Sequence, residues 1–344
     1  MKYLFLFLCI LSFHVNYSQD QDEIISLVDE GIVYHDEGDY DKAIKTYKKA
    51  LKIDRNSPLV NYEIALSYFY KKDYKNAIKY SDVVIDNDGP YVKESYITKG
   101  SSLDNLGKTK QSIKLFKKAI KKYKDENLLY YNLALNYYKL DDLDNAETYL
   151  IQGIEQKSDH SSSHLMLGYI NFDKNKRVQS LLNLHYFLFL EPTSNRSPQA
   201  ASMIQTMMAH NVTKDKEKPN TININLMLPN DDDKDKDEDF GAAELMISLL
   251  EASKSLEKNE GKSDDELFIE NTDSFFGMLG ELRDDKKEGI YWNLYIPFYD
   301  NLSQSDHMPA YCHYVMQSAS ESSQEWLDNN TESFEAFAQW LRGY

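Results

Sequence analysis

Three residues near the end of the chain carry the side chains that nucleophilic catalysis or metal binding uses. His307, Cys312 and His313 supply two imidazoles and a thiol within seven residues. Such groups act only when they converge on one point. Residues six apart are separated by about 120° around a helix, so the two histidines cannot both bind one metal ion there. We therefore interpret all three as surface or half-buried side chains, with metal binding or catalysis as the lesser alternative.

An acidic run in the second half of the chain raises the question of calcium binding. Asp233, Asp235, Asp237 and Glu244 fall at positions 1, 3, 5 and 12 of the calcium-loop template. Position 6, where the template needs glycine, is Glu238, and no helical pattern precedes the loop. We therefore predict a solvated linker rather than a calcium site.

Motifs that would indicate an enzyme are missing from the sequence. It contains no G-x-S-x-G, P-loop, H-E-x-x-H or C-x-x-C, and three further histidines, His35, His160 and His164, each stand alone. Catalysis needs a nucleophile, a base or a metal held together with its partners. We therefore predict that the protein is not an enzyme and that it uses no cofactor.

A lysine-rich stretch has the composition of a nucleic-acid-binding patch. Lys108–Lys124 holds eight lysines in seventeen residues, and lysines can neutralise phosphates. The whole chain, however, carries a net charge of −17, which disfavours a polyanionic partner. We predict that these lysines cover the solvated outer face of a helix, or face an acidic partner, and that nucleic acid is not bound.

The elements that would position a site come from an internal repeat. Four stretches of fourteen residues begin at 38, 72, 107 and 141, at spacings of 34, 35 and 34. Each follows a segment, such as 62–70 or 131–139, in which apolar residues recur at three- and four-residue spacing, as in a helix. The repeating unit is therefore a helical hairpin. The four stretches read GDYDKAIKTYKKAL, KDYKNAIKYSDVVI, GKTKQSIKLFKKAI and DDLDNAETYLIQGI.

Small residues recur at two places in every hairpin. One set lies in the first helix and the other in the second, where the two helices must approach each other closely. A bulky side chain at either place would hold the helices apart. The first set is Gly31, Ala65, Gly100, Ala134 and Gly168, and the second is Ala43, Ala77, Ser112, Ala146 and Ser180.

This pattern resembles the tetratricopeptide-repeat (TPR) family, whose 34-residue helical hairpin has small residues at positions 8, 20 and 27. In that frame the repeats are 24–57, 58–91, 93–126, 127–160 and 161–194. The resemblance covers about half of the chain. It implies an all-α fold, a TPR α-solenoid of about five helical hairpins, followed by an acidic linker and a small, mostly helical C-terminal region.

Three residues depart from the pattern of the family. Glu30 replaces the apolar residue usual at position 7 and is expected to weaken the first helix of repeat one. In repeat five, Asn171 stands at position 11 and Phe187 at position 27, which predicts irregular packing. The remaining repeats follow the pattern more closely.

The resemblance also implies a ligand surface. In TPR proteins, positions 2, 5, 9 and 12 of the first helices face the concave side and a polypeptide ligand. Here these positions are mostly apolar and aromatic, although repeat three contributes the polar residues Glu94, Ser101 and Asp104. Of the Lys/Asn/Arg set with which some family members clamp a terminal carboxylate, only Asn132 is matched. The predicted groove residues are Leu59, Tyr62, Leu66, Phe69, Ile97, Leu128, Tyr131, Leu135, Tyr138, Leu165, Tyr169 and Phe172.

The first eighteen residues have the features of a signal peptide. Lys2 precedes an apolar run, Tyr3–Phe13, that is too short for a membrane span, and the small residue Ser18 suits cleavage before Gln19. An uncleaved anchor is the alternative. We therefore expect an exported protein, periplasmic or secreted, with association with the cell envelope as a further option and no membrane span in the mature chain.

Charge and pattern divide the remaining chain. Residues 19–210, predicted as the solenoid with a capping helix near its end, have a net charge of −1, whereas residues 211–344 have −17. Residues 211–240 are predicted as an acidic linker with a short strand in Thr221–Leu228, for which the sequence offers no obvious partner strand. Residues 241–344 are predicted to be mostly helical, with one apolar stripe beginning at Leu245 and another at Phe334.

These features favour a protein–protein interaction scaffold of the periplasm or cell envelope. Its predicted partner is a protein or peptide in the apolar groove, with the chain's own C-terminal region as one candidate. The alternative is an enzyme, or an autoinhibited regulatory module, whose activity lies in the C-terminal helical region.

Overall fold

A computed structural model describes residues 20–210, 212–214, 221–224, 240–256, 259–284 and 286–343. The predicted leader and the aspartates of the calcium template lie outside these residues. The described chain is all-α except for one two-stranded ribbon, and it forms two compact units that divide between Gln156 and Lys157. This division falls between the fourth and fifth hairpins, and the predicted domain boundaries at 210 and 240 stay predictions.

The first unit consists of four helical hairpins. In each, a first helix is joined to a second by a tight turn, and the helices run in consecutive antiparallel pairs, which confirms the all-α TPR solenoid predicted from the repeat. The helices are α1 (20–36), α2 (Tyr40–Ile53), α3 (Pro58–Tyr70), α4 (Tyr74–Asn87), α5 (Val92–Asn105), α6 (Thr109–Lys122), α7 (Asn127–Tyr138) and α8 (Leu143–Gln156).

The turn inside each hairpin has a left-handed residue at the same repeat position. Gly38 and Gly107 have φ of 80° and 71°, which glycine adopts without steric cost. Lys72 and Asp141 occupy the equivalent place with φ of 66° and 60°. The residue that follows caps the next helix where it is aspartate: Asp73, for example, accepts a hydrogen bond from the backbone nitrogen of Asn76 at 3.2 Å. The turn geometry thus repeats even where the glycine does not.

Close contact between the paired helices explains the small residues. A Cβ on Gly100 would lie 2.2 Å from the ring of Phe116, and one on Gly31 would lie 2.1 Å from the ring of Tyr47. Serine can replace alanine at this repeat position because its hydroxyl finds a partner. The Oγ of Ser112 donates to the carbonyl of Gly100 at 2.8 Å. All ten predicted small residues are buried, so the repeat phase is confirmed.

Glu30 does not interrupt α1. Its side chain is exposed, and the helix continues through it. The buried face of α1 is carried by Ile24 and Val28, which belong to a core cluster with Ile44 and Tyr47 of α2. The Glu30 side chain at position 7 is therefore solvated rather than buried.

The second unit begins with the fifth hairpin and ends with the C-terminal helices. A π-helical turn, Tyr291–Tyr295, runs directly into α14, and Pro297 lacks the N–H that a regular helix would offer to the carbonyl of Asn293. The helices are α9 (Ser161–Asp173), α10 (Arg177–Leu190), α11 (Ser197–Ala209), α12 (Gly241–Ser253), α13 (Asp264–Glu281), α14 (Ile296–Ser303), α15 (Met308–Met316), α16 (Glu321–Asn329) and α17 (Thr331–Gly343).

The strand predicted in Thr221–Leu228 has a partner. Its described part, β2 (Ile222–Ile224), pairs antiparallel with β1 (Val212–Lys214), and Val212 lies opposite Ile224. The expectation that this strand has no partner strand was therefore wrong. A three-residue strand inside a polar stretch has too little alternation to be recognised.

The two apolar stripes of the C-terminal region have different surroundings. In α12 the buried side chains are Ala243 and Ile247, and the predicted stripe faces outward, with Leu249 48% exposed. In α17, Phe337 is buried and its ring meets that of Tyr311 in α15 at 6.3 Å. The α17 stripe is therefore packed within its own unit.

Four tyrosines of the C-terminal region bind the polar groups of the fifth hairpin. Asn171 donates through Nδ2 to the hydroxyl of Tyr291 at 2.7 Å and to Oδ1 of Asn183 at 2.8 Å. The hydroxyl of Tyr299 donates to the carbonyl of Leu182 at 2.8 Å. The departure at position 11 is thus a buried hydrogen-bonding site, which accounts for the irregular packing predicted for this hairpin.

Two histidines complete this set of contacts. His164 Nε2 lies 2.8 Å from the carbonyl of Ser158 and donates to it, so Nδ1 accepts from the hydroxyl of Tyr295 at 2.7 Å. His185 Nδ1 lies 3.1 Å from the hydroxyl of Tyr311. Burial lowers the pKa of His164 to about 4 and that of His185 to about 3. His164, which stands alone in the sequence, is therefore a buried and neutral hydrogen-bonding residue.

Candidate peptide-binding groove

The predicted groove residues of the first unit form a stripe that is neither core nor fully solvated. On α3 the residues at positions 2, 5, 9 and 12 are all half-buried, whereas the intervening Ala65 is fully buried. On α7, Leu135 and Tyr131 are half-buried, and Leu128 and Tyr138 are 37% and 41% exposed. A helix that presents apolar side chains in this intermediate state has a face that the protein itself only partly covers.

Aromatic contacts order the part of the stripe near α3. Tyr62 stacks on Tyr91 with ring centroids 5.3 Å apart and an interplanar angle of 10°. Phe69 contacts Tyr70 and Tyr74 at 5.8 Å each. Such ring pairs fix side-chain positions in addition to burying area. The stripe is therefore a defined surface of rings.

The third hairpin makes the groove locally polar. Asp104 accepts a hydrogen bond from Thr109 Oγ1 at 2.8 Å and pairs with Lys139. Ser101 Oγ donates to Oδ1 of Asn132 at 3.3 Å, across to the fourth hairpin. These polar groups satisfy one another, so this segment separates the apolar surfaces of α3 and α7.

The second unit holds the last three predicted groove residues. Phe172 is 47% exposed and Tyr169 is half-buried, whereas Leu165 is only 6% exposed. Leu165 therefore has little surface left for a ligand. Ligand contact by all three, as by the other nine groove residues, stays a prediction.

Sequence reasoning missed two residues beside Tyr62. Tyr91 lies in the linker after α4, with a left-handed φ of 64°, and Glu63 follows Tyr62 on α3. Burial, and secondly Asp36, raise the pKa of Glu63 to about 7. The linker that holds Tyr91, residues 88–91, is as long as the linkers 54–57 and 123–126, so its length gave no signal in the sequence.

The residues considered for catalysis have structural contacts. Cys312 is buried, and burial raises the pKa of its thiol, which disfavours the thiolate. His313 stacks on Trp326 at 4.4 Å and lies 3.1 Å from Ser323 Oγ. His307 lies beside the rings of Phe337 and Trp340. Within the described ranges, no three His, Cys, Asp or Glu side chains are grouped so as to hold a metal ion.

The lysine-rich stretch and Glu244 also have defined surroundings. Lys117 lies over the rings of Tyr137 and Tyr149, and Lys122 pairs with Asp88. Glu244, position 12 of the calcium template, instead accepts from the backbone nitrogen of Val178 at 3.2 Å, at the start of α10. None of the helices in the described part has the length and apolar composition of a membrane span.

Known proteins match the repeats. Family models described as TPR repeat and tetratricopeptide repeat cover residues 31–72, 93–122 and 129–160. The TPR repeat-containing protein MJ1428 of Methanocaldococcus jannaschii is 32% identical over 126 residues, which are 34% of this chain and 20% of that protein. The chain thus spans about a fifth of the length of this relative.

Solved structures are similar at lower identity. PilF of Pseudomonas aeruginosa is 15% identical with a TM-score of 0.47, covering 55% of this chain and 88% of that one. PilW, a type IV pilus biogenesis factor, is 17% identical with a TM-score of 0.47, covering 54% and 86%. The family matches and the repeat phase of the helices together show that this chain carries tetratricopeptide repeats, at residues 31–72, 93–122 and 129–160.

Proposed function

We propose that the protein is an interaction scaffold of the periplasm or cell envelope, and that it binds a polypeptide in the apolar groove of its TPR hairpins. One observation carries this proposal: the first helices α3 and α7 each present a set of half-buried or exposed apolar side chains, among them Leu66, Leu135 and Tyr138. TPR repeats support a protein-binding role.

The free energy available at this surface suits a peptide ligand. Complete burial of one large apolar side chain is worth roughly 1.5–3 kcal/mol. Several side chains of the stripe are already half covered, so a ligand gains only part of this amount at each. A polypeptide that contacts many of these side chains gains enough free energy to offset the cost of association. A small molecule contacts too few of them to do so.

Export rests on the leader-like sequence of residues 1–18. Fractionation of the native host, followed by N-terminal sequencing of the chain, tests it. We expect the mature chain to begin near Gln19 in the envelope or periplasmic fraction. An intact Met1 in the cytoplasm contradicts this part of the proposal.

The chain's own C-terminal region is a second candidate occupant. Its two apolar segments already have contacts in the second unit, since Ile222–Ile224 pairs with β1 and Phe337 packs beside Tyr311. These contacts favour a separate partner for the groove. Hydrogen exchange of α3 and α7 in the full chain and in a chain ending at His210 compares the two candidates. Exchange that rises only in the truncated chain would support self-occupation.

A catalytic role for the C-terminal region is the remaining alternative. Its cysteine is buried with a raised pKa, His313 stacks on Trp326 and lies beside Ser323 Oγ, and His307 lies beside two aromatic rings. These contacts give each side chain a structural role. No observation in the described residues favours catalysis over protein binding.

Site-specific photo-crosslinking in the native host tests the groove. A photoreactive amino acid replaces Leu135, on the stripe, and Lys118, an exposed residue on the second helix of hairpin three, serves as the matched control. We expect a discrete protein adduct from position 135 that a second change, Leu66→Asp, weakens. Equal adducts from both positions, or none from position 135, contradict binding in the groove.

A further inference from the structure

In the first and third hairpins, the second helix is more basic than the first. The described part of α1 carries six acidic and no basic residues, and the only charged residue of α3 is Glu63. The second helices carry the lysines, five in α2 and six in α6. Acidic residues thus predominate in α1 and α3 and lysines in α2 and α6, whereas α4 and α5 each carry two lysines and two acidic residues.

Glu63 is a partly buried carboxylate without a cation. Among the described residues, no lysine, arginine or histidine forms an ion pair with Glu63, and its electrostatic neighbour is another carboxylate, Asp36. Glu94 is exposed at the start of α5. Burial, and secondly Glu63 and Glu94, raise the pKa of the Tyr62 hydroxyl. The raised pKa of Glu63 reflects this loss of solvent and lack of compensation.

The lysine that follows α3 and the two lysines of α5 are engaged elsewhere. Lys93 lies 3.1 Å from Asp125, Lys71 pairs with Asp41, and Lys99 pairs with Asp82. Among the described residues, none of these lysines is therefore paired with the carboxylate of Glu63.

A buried hydroxyl beneath the site is also unsatisfied. Tyr47 is fully buried, and its hydroxyl has no hydrogen-bond partner within 3.5 Å in the structure. Burial raises its pKa, and Glu63 and Asp36 raise it further, so the hydroxyl lies in the field of both carboxylates. The hydroxyl of Ser67 lies 2.8 Å from His35 Nδ1.

Aromatic rings lie beside the carboxylates. Tyr62 and Tyr91 are stacked, and Tyr91 and Tyr70 are 37% and 53% exposed. The face of an aromatic ring attracts a cation, and the attraction grows when the cation is partly desolvated. Carboxylates and rings together select a side chain with a positive head and an apolar stem, since such a stem packs on rings.

We propose that this acidic-aromatic site, formed by Asp36, Tyr62, Glu63, Tyr91 and Glu94, binds a lysine or arginine side chain of the polypeptide that occupies the groove. The inference rests on the proposed function and specifies its ligand. The ligand is an apolar segment with a basic residue, which docks where the first three hairpins leave negative charge uncompensated.

Peptide libraries on the full chain test the inference. Each library has random apolar and serine residues around a fixed central residue, which is arginine, its neutral isostere citrulline, or glutamate. The strongest peptides are then measured by fluorescence anisotropy. We expect arginine to bind about tenfold more tightly than citrulline, as one charge-assisted contact allows, and glutamate to bind most weakly.

Two variants locate the effect. Glu63→Gln should remove the preference for arginine over citrulline, because the arginine peptide loses the charge that it is proposed to contact. Glu155→Gln, at an exposed position on α8, should leave the tenfold preference intact. Equal affinity for arginine and citrulline peptides overturns the basic-residue site while the groove stands. Failure of every library to bind overturns the groove itself.

Discussion

The hairpins of the first unit differ from the fifth hairpin, in the second unit, in how they bury repeat position 11. The former use mostly apolar side chains, and the latter uses a hydrogen-bonded amide. Position 11 is Tyr68, Leu103 or Tyr137 in hairpins two to four, all buried. In the fifth hairpin the same position is Asn171, fully buried and bound to Asn183 and Tyr291. A repeat that packs on another repeat needs only matching apolar shape. A repeat that packs on unlike helices gains a fixed geometry from hydrogen bonds.

The largest expected difference between the two is their response to acid. His164 and His185 of the second unit have pKa values lowered by burial to about 4 and about 3, below the usual 6.5. The unfolded state therefore binds more protons below pH 6.5, and stability falls as pH drops from there toward the folded pKa values. Each histidine should cost roughly 2 kcal/mol between pH 7 and pH 5.

Hydrogen exchange at pH 7 and pH 5, read separately for the two units, measures this difference. Protection in α9 and α10 should fall more than protection in α3 and α7. His164→Asn should reduce the loss by about half. An equal fall in both units would show that the buried histidines do not govern the acid response.

Next in size is overpacking at the small positions of the hairpins. Ala134→Leu places a large side chain where the exposed fraction is 0%, and should cost about 1–3 kcal/mol of unfolding free energy. Ala336→Leu, at an exposed position on α17, is the matched control and should change stability by less than about 0.5 kcal/mol. Equal midpoints in urea for the two variants would contradict the assigned repeat phase.

A smaller effect is expected from deleting one hydroxyl of the hydrogen-bonding network. Tyr291→Phe leaves the amides of Asn171 and Asn183 short of a partner and should cost about 1–2 kcal/mol. Tyr96→Phe removes a hydroxyl from a buried tyrosine of the first unit, whose ring is tilted against that of Tyr123, and should cost less than about 0.5 kcal/mol. Chemical denaturation of both variants measures the contrast. A larger cost at Tyr96 would reverse the comparison.

The smallest effect concerns the departure in repeat one. Position 7 holds Ile64 in repeat two and Leu133 in repeat four, both fully buried. Glu30 is exposed at this position, so Glu30→Leu should change the unfolding free energy by less than about 0.5 kcal/mol. Thermal unfolding checks this expectation. A gain above 1 kcal/mol would mean that position 7 of repeat one is also a core position.

The sequence by itself determined the hairpins and their phase. Spacings of 34 and 35, together with small residues such as Gly100 and Ala134, predicted which helices pair and where they touch, because close approach leaves room for few side chains. It also identified the apolar stripe on α3 and α7. These are local regularities, and they repeat often enough to be read without coordinates.

Only the tertiary structure decided the role of residues that do not repeat. The roles of Asn171 and His164 could not be predicted from the sequence, because their hydrogen-bond partners Tyr291 and Tyr295 lie more than a hundred residues away. Glu63 was overlooked for the same reason, since its importance depends on a missing cation and on a neighbour, Asp36, from another helix. Periodicity records contacts that recur, whereas a buried polar partner or an uncompensated charge depends on contacts made once, at long range.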